Sequence, residues 1–314
     1  MKKSLFLCGA LVLLFASCAT TVPVQITKPA EVNMAAYKTL LVQDFRYPRE
    51  YWYDDADKVA RYASSKLVEE LTATGYFKVI NTSDVANWSN LSPVDLGTKT
   101  GANALVVPEI LQFDRNSEYK VREYKVKDKN TGETVTKYED YTLVTDTVDV
   151  SYRVVDTRTG SVYVTKTFEE KDVIEVTNSG NQTLVSKTEN GQKLLAKIIQ
   201  KISRQLAPYT VTEGRSLLSD KTKSEDMKAA DALVKQGSYD LAYDRYLSIW
   251  KATKNPAAGG NAAILLEILG RLDEAIPLME SVYKDTGDKN VNLKLGELLQ
   301  QKKDQDKLKA QMGA

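Results

Sequence analysis

The residues able to do chemistry are few. The chain has two cysteines, Cys8 and Cys18, and no histidine. Without an imidazole there is no Ser-His-Asp or Cys-His catalysis and no histidine-based zinc site. Cys8 lies in an apolar run from Leu5 to Phe15, behind Met1-Lys2-Lys3, and Cys18 follows Ala16-Ser17. A basic head, an apolar core of about 11 residues where a membrane span needs about 20, and small residues before a cut site make a secretory leader. Removal of residues 1–17 takes Cys8 away, so the mature chain holds one thiol and no disulfide. Carboxylates then remain for catalysis. Asp44 ends a predicted strand, where sites often form in α/β sheets, but no second carboxylate converges on it in the sequence. The expectation is no catalytic residue, no metal site and no cofactor, and hence not an enzyme.

Phe15-Ala16-Ser17-Cys18 resembles the bacterial lipobox, with Phe15 where Leu is usual. The resemblance implies that Cys18 is lipidated, palmitate included, and becomes the first residue of the mature protein. An ordinary cleaved signal peptide is the alternative. Acyl chains hold a folded body on the membrane surface, each buried CH₂ contributing about 0.8 kcal/mol. By resemblance to lipoprotein sorting in two-membrane bacteria, Ala19 rather than Asp after the cysteine implies the outer membrane, facing the periplasm, over inner-membrane retention. Loss of Lys2 and Lys3 with the leader leaves 41 basic against 42 acidic residues. There is no basic excess to hold a phosphate backbone, so nucleic acid is not an expected partner.

At 314 residues the chain has room for about two domains. Residues 18–36 carry Pro23 and Pro29 without helical period and read as a tether, Val24 to Ile26 being an alternative edge strand. Residues 37–218 read as an αβ domain. Thr39 to Phe45 is a buried-strand run, and Asp54-Asp55 opens a helix whose Ala56, Val59, Ala60, Ala63, Leu67 and Leu71 share a face. Gly75 stops that helix, and Tyr76 to Ile80 and Ala104 to Leu111 are further strands. Beyond Phe113, the stretches Glu118–Lys127, Thr134–Asp156 and Ser161–Val176 alternate and are rich in Val, Thr and Tyr, with turn residues between them. They predict long antiparallel strands. A helix from Glu189 to Leu206 follows, ended by Pro208. The expected fold class is an α+β body, a mixed sheet with flanking helices and long antiparallel strands, followed by an all-α tetratricopeptide-like helical repeat domain over 222–314.

Val42-Gln43-Asp44-Phe45 at a strand end, a helix running into Gly75 to Ile80, and the stretch Thr100 to Val107 occur in a recognisable order. Over roughly residues 37–210 this resembles the envelope αβ domain shared by curli-secretion (CsgG-type) lipoproteins, lipoprotein activators of cell-wall synthases and the amino-terminal part of TolB. The resemblance implies a fold and an envelope setting, and by itself no activity. In the curli-type family, hairpins at a comparable place enter the membrane as a barrel. Here Glu118, Lys120, Arg122, Glu123, Lys125, Lys127 and Asp128 interrupt both faces, whereas membrane strands need a continuous apolar band. A pore is therefore disfavoured, and the charged ribbon reads as a solvated strand pair.

In the last third, a shift of 33 residues lays Gly237, Ala242 and Tyr246 on Gly270, Ala275 and Met279, and Ala230 on Ala263. Small residues let paired helices approach, and Gly turns the chain between them. Leu295-Gly296 continues a pattern that resembles tetratricopeptide repeats. Unrelated helical hairpins, or repeats that only cap the αβ domain, are the alternatives. The final residues, with Lys302, Lys303, Lys307 and Lys309, read as a solvated end helix.

Carried onto this chain, the repeat pattern places Asp231, Ile264 and Glu297 in one groove row and Val234, Glu267 and Gln300 in the next. Such a groove suits a peptide with a basic residue and an aliphatic anchor, and Glu267 and Glu297 are expected to be replaceable by Lys without altering the melt. A second candidate surface is the loop after the first αβ strand, with Arg46, Tyr47, Tyr51, Trp52 and Tyr53, because rigid aromatics and Arg are typical binding anchors. The function expected is that of a membrane-anchored envelope lipoprotein acting as a non-enzymatic adaptor for an envelope protein or peptide segment, with no small-molecule substrate. A regulator of a cell-wall synthase is the alternative, followed by a curli-secretion-like oligomer.

Overall fold

The computed structural model describes residues 20–47, 56–177, 184–222 and 224–313. Cys18 with the leader, and Tyr51, Trp52 and Tyr53 of the aromatic loop, lie outside them. The chain divides into two compact units. An αβ unit comprises residues 28–209 with the residues from 307 onward, and a helical unit comprises 20–27 with 210–306.

Strand β1 (Thr21–Lys28) opens the described chain, and the αβ unit follows. Its elements in order are β2 (Thr39–Val42), α1 (Ala56–Ala73), β3 (Lys78–Asn81), α2 (Pro93–Thr100), β4 (Ala104–Lys127), β5 (Thr134–Asp156), β6 (Val162–Thr177) and α3 (Lys187–Leu206). They form a mixed sheet in the order β3-β2-β4-β5-β6. β2 runs parallel to both β3 and β4, while β4, β5 and β6 are antiparallel.

The period of two along each strand sorts its side chains onto two faces. Leu40 and Val42 pack with Val59, Ala63 and Leu67 of α1 and with Leu195, Ile198 and Ile202 of α3. Leu41 points the other way and packs with Leu96 of α2. β4 follows the same rule, Val106 and Ile110 facing α1 and α3, Leu105 and Val107 facing α2. A register shift between Ile110 and Gln112 then exchanges the faces, which is how Phe113 rejoins the α1–α3 core. The bulge lets β4 continue for 24 residues, where the sequence pattern led us to expect a break between Leu111 and Glu118.

A buried polar cluster ties the long strands to α3. Arg115 and Asp146 are direct cross-strand partners. The Arg115 Nε and Nη2 donate to the two Asp146 carboxylate oxygens at 2.6 Å each. Asn190 Nδ2 donates to the same carboxylate at 2.7 Å, and Arg115 Nη2 also donates to the Val185 carbonyl at 3.0 Å. Gly191, one residue on, admits the Phe113 ring where a Cβ would stand 2.2 Å from it.

In the helical unit, β1 pairs with β7 (Tyr209–Ser216). The helices α4 (Glu225–Lys235), α5 (Tyr239–Thr253), α6 (Pro256–Ile268), α7 (Leu272–Thr286) and α8 (Lys289–Met312) follow. From α4 to α7 each packs on the next. The residues matched by the 33-residue shift occupy matching places. Ala230, Ala263, Ala242, Ala275, Tyr246 and Met279 are all fully buried, and Gly237 and Gly270 turn the chain at φ 76° and 78°.

Two expectations need adjustment. Within the segment read as a tether, residues 21–28 form a strand that buries Val22 and Ile26, which is the edge-strand alternative for Val24 to Ile26 extended at both ends. At the end of α8, Lys303, Lys307 and Lys309 are exposed as expected of a solvated helix, but Gln311 is buried. Gln311, in the αβ unit, exchanges two amide hydrogen bonds with the Ala30 main chain at 2.8 and 2.9 Å. Its carbonyl accepts from the Tyr76 hydroxyl at 2.7 Å.

Candidate binding sites

The expected groove rows lie on α4, α6 and α8 of the helical unit, and most of their residues are not on an open face. Val234, Ile264 and Glu267 are buried, and Asp231 accepts a hydrogen bond from the Tyr246 hydroxyl. Glu297 and Gln300 are exposed, Glu297 in a surface ion pair with Lys294 and Gln300 bonded to Asp304.

Lying against α6 are the end of β7 and the segment that follows it. Arg215 pairs with both Glu213 and Glu267. Asn261 grips the Leu218 main chain from both sides, its Oδ1 accepting from the Leu218 N–H at 2.6 Å and its Nδ2 donating to the Leu218 carbonyl at 3.0 Å. Gly260 leaves room for the Leu218 side chain, whose Cδ1 would lie 2.4 Å from an added Cβ. Arg215 and Leu218 thus lie against α6 beside Glu267 and Asn261, where a partner segment was expected. Burial raises the Glu267 carboxyl above the ordinary glutamate range, a rise that the Arg215 guanidinium opposes. Exchange of Glu267 for Lys would thus break a buried ion pair, contrary to the expectation of an unchanged melt. Sequence reasoning missed Asn261, although a lone amide in the apolar run Pro256–Ile268 was the signal for it.

The second candidate surface is divided by the sheet. After β2 the chain continues beside β4, the Arg46 N–H donating to the Pro108 carbonyl and the Ile110 N–H to the Arg46 carbonyl. Arg46 is exposed and lines a cavity on the α2 side. Tyr47 is half-buried and lies on the opposite side, against the α1–α3 core and near Asp44, Asp57 and Arg61. Arg46 and Tyr47 are thus adjacent in sequence but do not form one surface. Among the described residues, no group of three or more carboxylates or thiols is placed to hold a metal ion.

A third surface is the far end of the β4–β5 hairpin. β6 covers β5 only as far as Tyr141, and β4 pairs with β2 only over Ala104–Val106. Beyond that, among the described residues, the hairpin is two-stranded, turning at Gly132, with φ 74°, after Asp128 has accepted the N–H groups of Asn130 and Thr131. The register places Tyr119, Val121 and Tyr138 on one face. Their exposures are 64%, 53% and 69%. The other face carries Arg122, ion-paired with Glu139 and Glu175.

Residues 27–237 match the model of a protein family described as the curli production assembly/transport component CsgG. The chain belongs to the CsgG family. This membership accounts for the mixed sheet with its long hairpin and sets the protein in the bacterial envelope. No helix of the described residues is long and apolar enough to cross a membrane. No curated protein matches the chain. Among solved structures, the chain is similar to the PelC dodecamer from Paraburkholderia phytofirmans, at 15% identity and a TM-score of 0.28, covering 59% of this chain and 98% of that one. It is similar also to lipoprotein GNA1162 from Neisseria meningitidis, at 12% identity and a TM-score of 0.28, covering 52% and 97%. A minor lipoprotein from Acinetobacter baumannii matches at 16% and 0.24, covering 55% and 90%. At these identities and TM-scores the likenesses carry no functional argument. The family model ends at residue 237, before α5, so most of the helical array lies outside the matched region.

Proposed function

We propose that this CsgG-family chain is a lipid-anchored envelope lipoprotein that works without catalysis, as an adaptor for an envelope protein. With Arg215 and Leu218 already seated on α6, the far end of the β4–β5 hairpin is a better docking face than a tetratricopeptide-like groove. The observation that carries it is the cluster of Tyr119, Val121 and Tyr138 on a two-stranded ribbon. Tyr is enriched at protein interfaces, where it supplies contact area at low entropic cost. Charges on both faces of the ribbon keep it soluble and discourage indiscriminate edge pairing.

A photo-crosslinking residue at position 138 is expected to trap an envelope protein in intact cells. Tyr119→Ser with Tyr138→Ser should lower that capture by about tenfold or more, as loss of two aromatic anchors commonly does. Crosslinks arising only from Leu241 or Leu293, exposed on the helical unit, would sink the ribbon reading. Crosslinks solely to a second copy of the chain would instead favour self-assembly, the reading closest to the family's description as an assembly component.

Anchoring has its own test. Cys18→Ser is expected to move the protein from the detergent phase to the aqueous phase and to abolish acyl labelling. Equal partitioning of mutant and wild type, with no label on either, would remove the lipoprotein reading.

A further inference from the structure

We propose that the αβ unit holds a binding site for an amphiphilic anion, a carboxylate or phosphate joined to a short apolar body. The site is independent of the ribbon. It lies on the α2 side of the sheet at the carboxyl end of β2, in a cavity of about 420 Å³. The strand order places it well. α1 packs on one face of the sheet and α2 on the other, and the connections leave β2 toward β3 and then cross to β4. Crevices at such strand ends are where open α/β sheets commonly bind ligands.

Its floor is the sheet itself, with Leu105, Val107 and Val155, all buried. Its roof is the turn at Trp88 and the start of α2. Asn87, in the left-handed region at φ 57°, leads into the 3₁₀ turn that carries Trp88. α2 is pressed onto the sheet edge because Gly97 has no Cβ, which would stand 2.6 Å from that of Thr157.

Beside Ser89 of the roof, three larger polar side chains line this mostly apolar space. Arg46 and Arg153 are both exposed, and among the described residues neither guanidinium has an ion-pair or hydrogen-bond partner. Most other arginines of the αβ unit are engaged, Arg61 by Asp57, Arg115 by Asp146, Arg122 by Glu139 and Arg158 by Asp156. The third group is Gln43, which is 7% exposed and whose side-chain oxygen has no hydrogen-bond partner. Two unpaired guanidinium groups suit a bidentate oxyanion. The apolar floor and the Trp88 ring suit a hydrocarbon or aromatic body. A donor on the ligand, such as the hydroxyl of a protonated phosphate or an alcohol, would satisfy Gln43.

The source of such a ligand is either a soluble organic acid or an anionic lipid headgroup, and the two can be separated by calorimetry. Mature protein in a neutral detergent would be titrated with hexanoate, hexyl phosphate, dihexanoyl phosphatidylglycerol, inorganic phosphate and hexanol. Binding is expected for at least one of the first three. Hexanol and inorganic phosphate, each with half of the chemistry, should bind at least about tenfold more weakly. Arg46→Gln with Arg153→Gln should weaken binding by about tenfold or more. Its melt should be unchanged, since both side chains are exposed. Arg271→Gln, on the helical unit, should bind as wild type does. Binding of the phosphatidylglycerol alone assigns the site to a lipid headgroup, and binding of hexanoate or hexyl phosphate alone assigns it to a soluble acid. No binding by any of the three, or equal binding by a stably folded double variant, overturns the proposal.

Discussion

Glu267→Lys is expected to destabilise the helical unit by about 3–5 kcal/mol, the usual cost of breaking a buried ion pair from one side. Glu267 and Arg215 have side-chain exposures of 4% and 11%, so solvent screening does little to soften the loss. The substitution leaves two cations facing each other beside Asn261 and Leu218, and the strap after β7 should lift from α6. A fall in the melting temperature of at least about 10 °C would follow for a unit of this size. Fluorescence of Trp250, buried in the helical core, reports on it. Glu297→Lys is the control, because its partner Lys294 lies in a surface pair and such pairs contribute about 0–1 kcal/mol. If Glu267→Lys melts within about 2 °C of wild type, the strap does not depend on this pair. Replacing both partners by apolar residues should restore most of the stability, since a buried pair and a well-packed apolar pair are often close in free energy.

Asp146→Ala should cost the αβ unit a similar amount, about 3–5 kcal/mol. It strands Arg115, whose guanidinium is bidentate to the carboxylate, and Asn190, which is 4% exposed. The same carboxylate makes a pH prediction. Burial by itself pushes the Asp146 carboxyl up, but hydrogen bonds from Arg115 and Asn190, with the Arg115 and Lys187 charges, outweigh it and hold the group below the ordinary 3.8. A carboxyl with a depressed native pKa binds its proton more readily when unfolded. Its contribution to stability is therefore complete above about pH 4 and is lost as the pH falls toward the lower native value. Denaturant unfolding between about pH 5 and pH 2 should show this loss in the wild type and a flatter profile in Asp146→Asn. A variant profile parallel to that of the wild type would mean that other carboxylates carry the acid sensitivity.

Features that depend on local period and on small residues are legible in the order of residues alone. The run Thr39–Val42, the spaced apolar face from Val59 to Leu71 and the stripe from Leu194 to Leu206 are legible because burial repeats every two or every 3.6 residues. The paired alanines at the 33-residue shift were legible because helices can approach closely only over small side chains. The turn at Asn130-Thr131-Gly132 was legible because Gly132 needs a positive φ.

That Arg215 and Leu218 lie against α6 follows from long-range packing alone. The pairing of Arg215 with Glu267 joins positions 52 residues apart, and no local pattern encodes such a separation. β1 read as a tether because its partner strand lies far along the chain, Thr21 bonding to Ser216 across 195 residues. An isolated eight-residue stretch carries no record of the edge it will pair with. Arg46 and Tyr47 looked like one surface because they are neighbours in sequence, and the sheet sends them to opposite faces. The cavity of Gln43, Arg46, Trp88 and Arg153 draws on the chain just beyond β2, a 3₁₀ turn and β5. Its two arginines share one cavity because antiparallel and parallel registers bring those segments together, a consequence of chain crossing rather than of spacing.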